Sequence, residues 1–356
     1  MSPGRRGVRT LVLAWLVGGL YGAVSYGHDY YVYRGFNPPH DPPGVAAGRE
    51  VTGRQYSRAL HQRRSYLVYL PAGYTSAAAR GRRYPVLYLL HGTPGWPRQF
   101  LDIARAGVAL DVLVARHQIR PMLLVMPDGR NGSFRSDTEW ADTRRGNYAS
   151  LVLETVRAVD RRFATRRTRQ SRAIAGNSEG AYGAVNIALH NLDKFSIVGL
   201  WSGYFQQRRK GPFAHASTAQ LAANSPADYV AALASTLHRR PFHAYLFSGL
   251  VDPDRLLSAV FSQRLRAAGG DVRYVEYPGR HSWRLWRDQT PSTLRYADQW
   301  FGGDLRPPVR RTRANLRQGR PARRSRTASP RSRRAAHQPE RATAFDRSRV
   351  VIETAR

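Results

Sequence analysis

Strand-like and helix-like stretches alternate from about Gln55 to Gly302, and this alternation restricts the fold of the 356-residue chain more than any other feature. Short apolar runs such as Val86–Leu90 have no polar face, which is typical of strands buried on both sides. Longer amphipathic stretches, Phe100–His117 and Tyr148–Phe163, are predicted to be helices. The alternation therefore predicts an α/β fold, with a mostly parallel central sheet and helices on both faces.

One serine lies between two glycines in the segment AIAGNSEGAYGA, residues 173–184. A strand-like run leads into Gly176, and small residues at helical spacing follow Gly180. In a nucleophile elbow the serine sits on a strained strand-to-helix turn, where side chains at the two glycine positions would meet the neighbouring strand and helix. The alternative is an ordinary turn, but the flanking strand and helix favour Ser178 as a nucleophile.

A serine hydroxyl is a weak nucleophile until a base removes its proton, and an acid must orient that base. On a sheet with such an elbow, the order along the chain is serine, acid, histidine. His281 follows the last predicted strand and precedes the last predicted helix, so its loop reaches the carboxyl edge of the sheet. The loop after the preceding strand offers two acids, Asp252 and Asp254.

An oxyanion in the transition state requires two backbone N–H donors. One is expected from Glu179, the residue after the nucleophile. The other is expected from the loop after Val86–Leu90, where Pro94 has no N–H and Thr93 is the natural donor. His91, in the same loop, is predicted to shape the loop rather than to act as a base.

Six segments between Tyr66 and Trp300 resemble the motifs of one known family in the same order: VYLPAGY, YPVLYLLHG, VMPDG, GNSEG, SGLVD and GRHSWRLW. The chain is similar to the esterase branch of the α/β-hydrolase superfamily, which holds esterase D-like enzymes, feruloyl esterase domains and antigen 85-type mycolyltransferases. The resemblance implies an α/β-hydrolase fold that needs no metal or organic cofactor. It also matches the family's nucleophile, acid, base and two oxyanion donors to Ser178, Asp252, His281, Thr93 and Glu179.

The residues beside the serine depart from the family pattern, which usually has apolar side chains there. This chain has Asn177 and Glu179. The Glu179 carboxylate is expected either to turn away to solvent or to disfavour anionic substrates. The departure therefore bears on the substrate more than on the triad.

Position along the chain separates the two candidate acids. The strand Ala244–Phe247 ends just before Gly249, and Asp252 falls in the tight loop past the sheet edge. Pro253 fixes the chain direction there, so Asp254 is expected to lie further on, as the N-terminal cap of the next helix. Asp252 is therefore the predicted acid.

The first 27 residues are predicted to be a signal peptide or a membrane anchor. Three arginines, at positions 5, 6 and 9, precede an uncharged run from Thr10 to Tyr26, which has the length of a signal-peptide core or a short membrane span. Residues 28–55, rich in Pro, Gly and aromatic side chains, are expected to form a linker. Residues 56–302 form the predicted esterase domain, which is expected to lie outside the cytoplasm, free or attached to the membrane.

Residues 303–356 form a predicted disordered tail, because their composition cannot bury enough apolar surface to offset the entropy of ordering. From Arg306 to Arg356, 16 arginines and three acidic residues contribute +13 of the formal net charge of +33. The chain has only two lysines, an arginine bias typical of GC-rich genomes. The tail shows no aromatic–basic interleaving, so nucleic acid is not an expected partner. Cysteine is absent, which excludes disulfides and a thiol nucleophile.

These features predict a serine esterase that hydrolyses or transfers acyl groups through an acyl-Ser178 intermediate. Two alternatives stay open: a cell-envelope acyltransferase of the mycolyltransferase type, and a catalytically silent hydrolase fold that binds a partner. The expected substrate is a small-molecule or lipid ester, and the sequence specifies neither its acyl and alcohol parts nor the oligomeric state. Four aromatic residues are candidates for an apolar acyl site or for the core: Trp96, Phe134, Trp140 and Trp201.

Overall fold

The computed structural model describes residues 3–133 and 137–302, with side chains from residue 15 onward. The strands of this part of the chain are β1 (Arg49–Ser57), β2 (Gln62–Leu70), β3 (Val86–Leu90), β4 (Leu123–Pro127), β5 (Asp142–Thr143), β6 (Gly146–Asn147), β7 (Arg172–Asn177), β8 (Ile197–Trp201), β9 (His243–Gly249) and β10 (Asp271–Tyr277). The predicted tail and Phe134 lie outside the described residues.

The α-helices of the same part are α1 (Pro3–Tyr33), α2 (Tyr74–Ala79), α3 (Gln99–Asp102), α4 (Ala106–Ala115), α5 (Tyr148–Arg162), α6 (Glu179–His190), α7 (Thr218–Ala223), α8 (Pro226–Tyr229), α9 (Ala234–Arg239), α10 (Arg255–Ala267) and α11 (Trp283–Trp300). Short 3-10 turns cover Arg169–Ser171, Gly211–Phe213 and Val230–Leu233.

Eight of the described strands form one sheet in the order β1-β2-β4-β3-β7-β8-β9-β10, and β5 pairs with β6 in a small hairpin. β2 pairs antiparallel with both β1 and β4. Every pair from β4 across to β10 is parallel. The predicted mostly parallel sheet is thus confirmed.

Helices cover both faces of this sheet, so the central strands are buried on both sides. In β3, Val86, Tyr88 and Leu90 face one core, which includes apolar side chains of α5, α6 and α10. Leu87 and Leu89 face the other core, which includes side chains of α4 and α11. Two apolar layers therefore fix the sheet between the helices.

The carboxyl ends of the central strands lie at one edge of the sheet. Leu90 at the end of β3 aligns with Gly176 in β7, and Asn177 at the end of β7 aligns with Trp201 at the end of β8. The loops that leave these strands must therefore meet at this edge, which is where ligands of parallel α/β sheets bind.

The N-terminal helix α1 is longer than the predicted leader of 27 residues, since it continues to Tyr33 and into the predicted linker. Its apolar side chains from Trp15 to Tyr26 are largely exposed, with Trp15 at 84%. Across the described residues, no helix combines the length and hydropathy that crossing a membrane requires.

The sheet begins at Arg49, seven residues before the predicted domain boundary at residue 56. β1 is an edge strand in which only Gly53 and Ser57 are buried. Its sequence, REVTGRQYS, therefore lacks the apolar alternation that identifies a strand. Pairing with β2 along nine residues holds it in the sheet.

The predicted helix Phe100–His117 is two helices. α3 and α4 are separated at Arg105, whose φ of 54° lies in the left-handed region. An α-helix cannot continue through such a residue, so the chain turns there, and α4 packs on α11 rather than extending α3.

Candidate active site

Ser178 lies on a sharp turn between β7 and α6. Its φ of 55° and ψ of −121° are strained for a residue with a side chain. A Cβ at Gly180 would approach the Leu90 carbonyl to less than 3.0 Å, and a Cβ at Gly176 would approach the Gly180 backbone as closely. Both glycines are therefore required for the strand, the turn and the helix to pack together, as the nucleophile-elbow prediction demands.

The structure brings the predicted serine, histidine and acid together. The Ser178 hydroxyl lies 2.9 Å from Nε2 of His281. On the other side of the ring, Nδ1 of His281 lies 3.2 Å from Oδ1 of Asp252. A carboxylate only accepts hydrogen bonds, so Nδ1 carries the proton and Nε2 is free to accept the serine proton.

The Asp252 carboxylate is fully buried. Burial alone would raise its pKa, but hydrogen bonds from the side chains of His281 and Ser202 and from the Asp254 N–H outweigh burial and hold the pKa below its ordinary value. Asp252 is therefore held as an anion beside the imidazole, which is the form that orients a catalytic histidine.

Ser202 is a site residue that the sequence did not reveal. It follows β8, has a φ of 52°, and is fully buried. Its hydroxyl accepts a 3.0 Å hydrogen bond from the Trp286 indole, and Ser202 helps to lower the pKa of Asp252. The sequence could not predict this role, because a Ser-Gly pair after a strand is common and the role depends on side chains about 50 and 80 residues away.

Asp254 stands at the N-terminal cap position of α10, as predicted, but its carboxylate makes no capping hydrogen bond. Oδ2 of Asp254 instead lies 3.9 Å from Nδ1 of His281, beyond hydrogen-bond distance. The backbone N–H of Asp254 donates to Asp252 at 2.9 Å. Asp254 thus supports the acid, and its side chain faces the histidine without bonding it.

The carboxylate of Glu179 does not turn to solvent, so that expectation is wrong. Glu179 is 4% exposed. Its carboxylate accepts hydrogen bonds from the hydroxyl of Thr93 and from both the N–H and the hydroxyl of Thr138. Donors from two distant loops hold the side chain inside, and burial with neighbouring acids raises its pKa well above the ordinary value.

The neighbouring acid is Glu139, in the loop before β5. Burial raises the pKa of Glu139 to about 7, against hydrogen bonds from Tyr204 and Gln207 that lower it. The Tyr204 hydroxyl donates at 2.7 Å and the Gln207 amide at 2.9 Å. A pair of buried carboxyls therefore lies behind the nucleophile, and no local pattern of residues predicts it.

The two predicted oxyanion donors lie on either side of the nucleophile. Glu179 is the first residue of α6, where backbone N–H groups lack helical partners. Thr93 lies in the loop after β3, and the preceding Gly92 is so close to the elbow that a Cβ there would lie 3.2 Å from the Ser178 Cβ. Both residues thus lie next to Ser178, one along the chain and the other through space.

His91 has the structural surroundings that the sequence predicted. It is 2% exposed, and burial lowers its pKa to about 4. Nδ1 donates to the Gly92 carbonyl at 3.0 Å, and Nε2 accepts from the Gly129 N–H at 3.2 Å. Both ring nitrogens are therefore occupied within the loops.

Among the described residues, one group of side chains close enough together to bind a metal ion includes two members of the triad. One ligand atom each of Asp252, Asp254 and His281 lie within 4.8 Å of one another. Nδ1 of His281 carries the proton bonded to Asp252, and Nε2 accepts from Ser178, so the imidazole has no lone pair left for a metal. The donor set suits proton transfer better than metal binding.

A cleft of about 300 Å³ opens at the nucleophile. Of the four candidate aromatic residues, Trp140 and Trp201 are completely buried in the core. Trp96 is half-buried and stacks on Tyr31. The lining of the cleft comes from residues of four segments: Arg34, Gly92, Thr93, Pro94, Asn177, Ser178, His281, Ser282, Trp283 and Trp286.

The parallel sheet and the serine elbow are those of an α/β-hydrolase-like protein. Residues 57–297 match the family model described as "Putative esterase". This match covers more than half of the chain, which therefore belongs to that esterase family.

Two curated relatives illustrate the family. A segment of 191 residues is 31% identical to the endo-1,4-beta-xylanase/feruloyl esterase of Xylanibacter ruminicola, covering 52% of this chain and 25% of that protein. A segment of 143 residues is 29% identical to the esterase Rv1288 of Mycobacterium tuberculosis, covering 40% of this chain and 29% of that protein. The chain thus matches between a quarter and a third of the length of these relatives.

Solved structures share the fold. A ferulic acid esterase superposes with a TM-score of 0.63 at 24% identity, covering 72% of this chain and 100% of that chain. An S-formylglutathione hydrolase from Agrobacterium tumefaciens superposes with a TM-score of 0.57 at 14% identity, covering 75% of this chain and 100% of that chain.

Proposed function

We propose that the chain is a serine esterase whose nucleophile, base and acid are Ser178, His281 and Asp252. The observation that carries the proposal is the 2.9 Å separation of the Ser178 hydroxyl from Nε2 of His281, on a serine with a strained backbone. The buried anionic Asp252 on the far side of the ring completes the arrangement that activates a serine.

The reaction proceeds in two halves. Nε2 of His281 takes the hydroxyl proton as Ser178 Oγ attacks the ester carbonyl, and a tetrahedral oxyanion forms. The imidazolium then gives that proton to the departing alkoxide, leaving an acyl-Ser178 ester. A water, deprotonated by the same nitrogen, attacks this ester; as the second tetrahedral intermediate collapses, the acyl–Oγ bond breaks, the imidazolium returns the proton to Ser178 Oγ, and the acid is released.

The oxyanion of each half is stabilised by backbone N–H groups of Glu179 and Thr93. Their placement beside Ser178 supports this role, and the dipole of α6 adds a partial positive charge at the same point. Asp252 keeps the imidazole in the correct tautomer and stabilises the imidazolium without taking its proton.

The substrate class supported by the family is a small-molecule ester. The curated relative from Xylanibacter ruminicola is named a feruloyl esterase, and one solved neighbour, the feruloyl esterase module from Clostridium thermocellum, is complexed with sinapinate. An aromatic acyl group would find indole rings at the cleft, where Trp283 and Trp286 contribute to the wall.

The site of action proposed for the enzyme is outside the cytoplasm. Arginines 5, 6 and 9 followed by an uncharged run are what export machinery recognises. Fractionation of cells expressing the full chain tests this, and full-length enzyme found in the cytosol would contradict export.

A fluorophosphonate probe tests the catalytic proposal directly, because only an activated serine reacts with it. The full chain should be labelled and should hydrolyse 4-nitrophenyl acetate, and Ser178→Ala should lose both properties, with turnover reduced by several powers of ten. Ser196→Ala is the matched control. Ser196 is a buried serine just before β8, at the end of that strand away from the nucleophile, and its hydroxyl donates to the Arg169 carbonyl. More than a few per cent of residual activity in folded Ser178→Ala would overturn the assignment.

A further inference from the structure

Arg34 lies in the wall of the catalytic cleft although it belongs to the N-terminal segment. It follows α1 directly, and its φ of 55° turns the chain sharply out of the helix. The same cleft contains Ser178 and His281. A cationic side chain about 140 residues away in sequence from the nucleophile is thus brought to the reaction site.

Two aromatic rings hold the guanidinium of Arg34. Its central carbon lies 5.6 Å from the ring centre of Tyr31 and 5.7 Å from that of Trp96. The centres of these two rings lie 5.2 Å apart in a stack, which joins Tyr31 of the N-terminal segment to Trp96 of the loop after β3. A guanidinium held against aromatic rings loses little further freedom when it binds a ligand.

Within the described residues, the Arg34 side chain forms no hydrogen bond or ion pair, and its Nε is buried without a partner. Two other arginines near this segment have acceptors. Arg98 bonds Glu50 at 2.7 Å, and Arg287 donates to the Ile103 carbonyl at 3.1 Å. An arginine that is held in place but left without an acceptor requires an anion or water.

The rest of the cleft does not oppose an anion. None of the cleft-lining residues named above carries a carboxylate. The nearest acid to the nucleophile in sequence, Glu179, is buried and accepts hydrogen bonds from Thr93 and Thr138. Burial also raises its pKa well above the ordinary value, which favours the neutral form. The expectation that Glu179 disfavours anionic substrates therefore loses its basis.

We propose that Arg34 binds a carboxylate on the ester substrate, so that the enzyme prefers carboxylate-bearing esters over neutral esters of the same length. The inference rests on the proposed function. A carboxylate is favoured over a phosphate because the cleft lining offers one guanidinium, which neutralises one negative charge and matches the two carboxylate oxygens in a planar fork.

Matched esters test the preference. The 4-nitrophenyl monoesters of glutarate, adipate and suberate present a free carboxylate at increasing distance, and their methyl esters present a neutral group on the same skeleton. Release of 4-nitrophenol gives kcat/KM for each. In at least one pair, the carboxylate ester should be preferred by about tenfold, as expected for one charge-assisted bidentate contact in a partly open cleft. The preference should decrease as salt is raised.

Variants assign the preference to Arg34. Arg34→Gln should abolish it, and Arg34→Lys should keep part of it through the charge alone. Arg105→Gln is the matched control, because Arg105 donates to the His40 carbonyl and so contacts the same segment outside the cleft lining. A preference retained in Arg34→Gln, or lost equally in Arg105→Gln, would overturn the assignment. A 4-nitrophenyl phosphoalkanoate preferred over every carboxylate would replace the ligand class.

The inference and the proposed function can fail separately. If neutral esters are hydrolysed but no carboxylate ester is preferred, the esterase stands and the role of Arg34 is refuted. If no ester is hydrolysed, binding still decides the question. The carboxylate monoesters should raise the Tm of Ser178→Ala but not of Ser178→Ala with Arg34→Gln. An equal increase in Tm in both variants, or no increase in either, would refute the role of Arg34.

Discussion

The hydroxyl of Thr93 donates a hydrogen bond to the buried carboxylate of Glu179, so the side chains of the two proposed oxyanion donors are joined to each other. One residue lies in the loop after β3 and the other begins α6. The bond links two segments that must keep a fixed separation if their N–H groups are to converge on one oxygen. The unusual acid beside the nucleophile thus has a structural role in the site.

Removing this link should weaken catalysis while leaving substrate binding nearly intact. Thr93→Val keeps the backbone donor but lets the loop shift, so kcat should fall by about tenfold, less than the hundredfold or more that follows loss of an oxyanion donor. KM should change little. Thr93→Ser keeps the hydroxyl and should retain most of the rate. Equal losses in the valine and serine variants would show that the hydrogen bond is irrelevant.

The two acids near His281 should differ sharply in importance. Asp252→Asn removes the anion that bonds Nδ1, and kcat should fall by at least about a hundredfold because the tautomer and the imidazolium lose their support. Asp254→Asn should lower kcat by less than about tenfold, since its carboxylate lies 3.9 Å from Nδ1.

Stability provides a second comparison of the same two variants. The Asp254 carboxylate makes no capping hydrogen bond, so Asp254→Asn should change the free energy of unfolding by no more than about 0.5 kcal/mol. The reverse ranking of the two kcat values, measured on folded proteins with one ester, would transfer the role of the acid to Asp254.

The buried acids behind the nucleophile should make the protein less stable as pH rises. Burial raises the pKa of Glu139 from 4.5 to about 7 in the folded state, so between these values the folded protein binds more protons than the unfolded chain. Linkage then requires that the free energy of unfolding falls with rising pH across this window. Each unit of pKa difference corresponds to about 1.4 kcal/mol, so the contribution should be about 1–3 kcal/mol.

Urea unfolding at several pH values measures this effect. Glu139→Gln resembles the protonated carboxyl and can still accept from Tyr204, so its stability should fall less steeply with pH than that of the unmodified protein. Glu50→Gln is the control, since Glu50 lies on β1 and bonds Arg98 at the surface, and it should leave the slope unchanged. Identical slopes in all three proteins would contradict the raised pKa.

The elbow should tolerate no side chain at Gly180. A Cβ there would approach backbone atoms of Leu90 and His91 to less than 3.0 Å, and backbone cannot move aside as a flexible side chain can. Gly180→Ala should therefore lower the free energy of unfolding by about 3 kcal/mol or more. Gly22→Ala, in α1, meets no atom within 4 Å and should cost nothing. Thermal unfolding measures both, and a Gly180→Ala variant as stable as the unmodified protein would contradict the packing of the elbow.

The central strands β3, β4 and β8 were predictable because each is a short apolar run. Val86–Leu90 was located at its observed bounds, since burial on both faces leaves no polar position in it. The elbow was predictable because Gly176 and Gly180 are needed at fixed positions around Ser178, so the requirement is visible in the local sequence.

Features that depend on contacts outside their own segment could not be predicted. β1 is held by its pairing with β2, and its own residues are mostly exposed. The orientation of Glu179 is set by donors at positions 93 and 138. Arg34 lies at the cleft beside the stacked rings of Tyr31 and Trp96, which are far apart in sequence. For Glu179 and for the segment that carries Arg34, the deciding contacts lie far away in sequence, and for β1 the exposed residues leave no apolar pattern, so neither propensity nor periodicity carries the information.

The N-terminal part of the chain lines the cleft at Arg34 before it enters the sheet at Arg49, and this has a practical consequence for protein production. The residues that match the esterase family begin at 57, after both Arg34 and nearly all of β1. An expression fragment trimmed to that match would expose β2 as a new sheet edge, which invites aggregation. It would also lack one charged wall of the cleft, so its kinetics would describe a wider and less selective enzyme than the full chain. Fragments for assay and crystallisation are therefore best started before Tyr31.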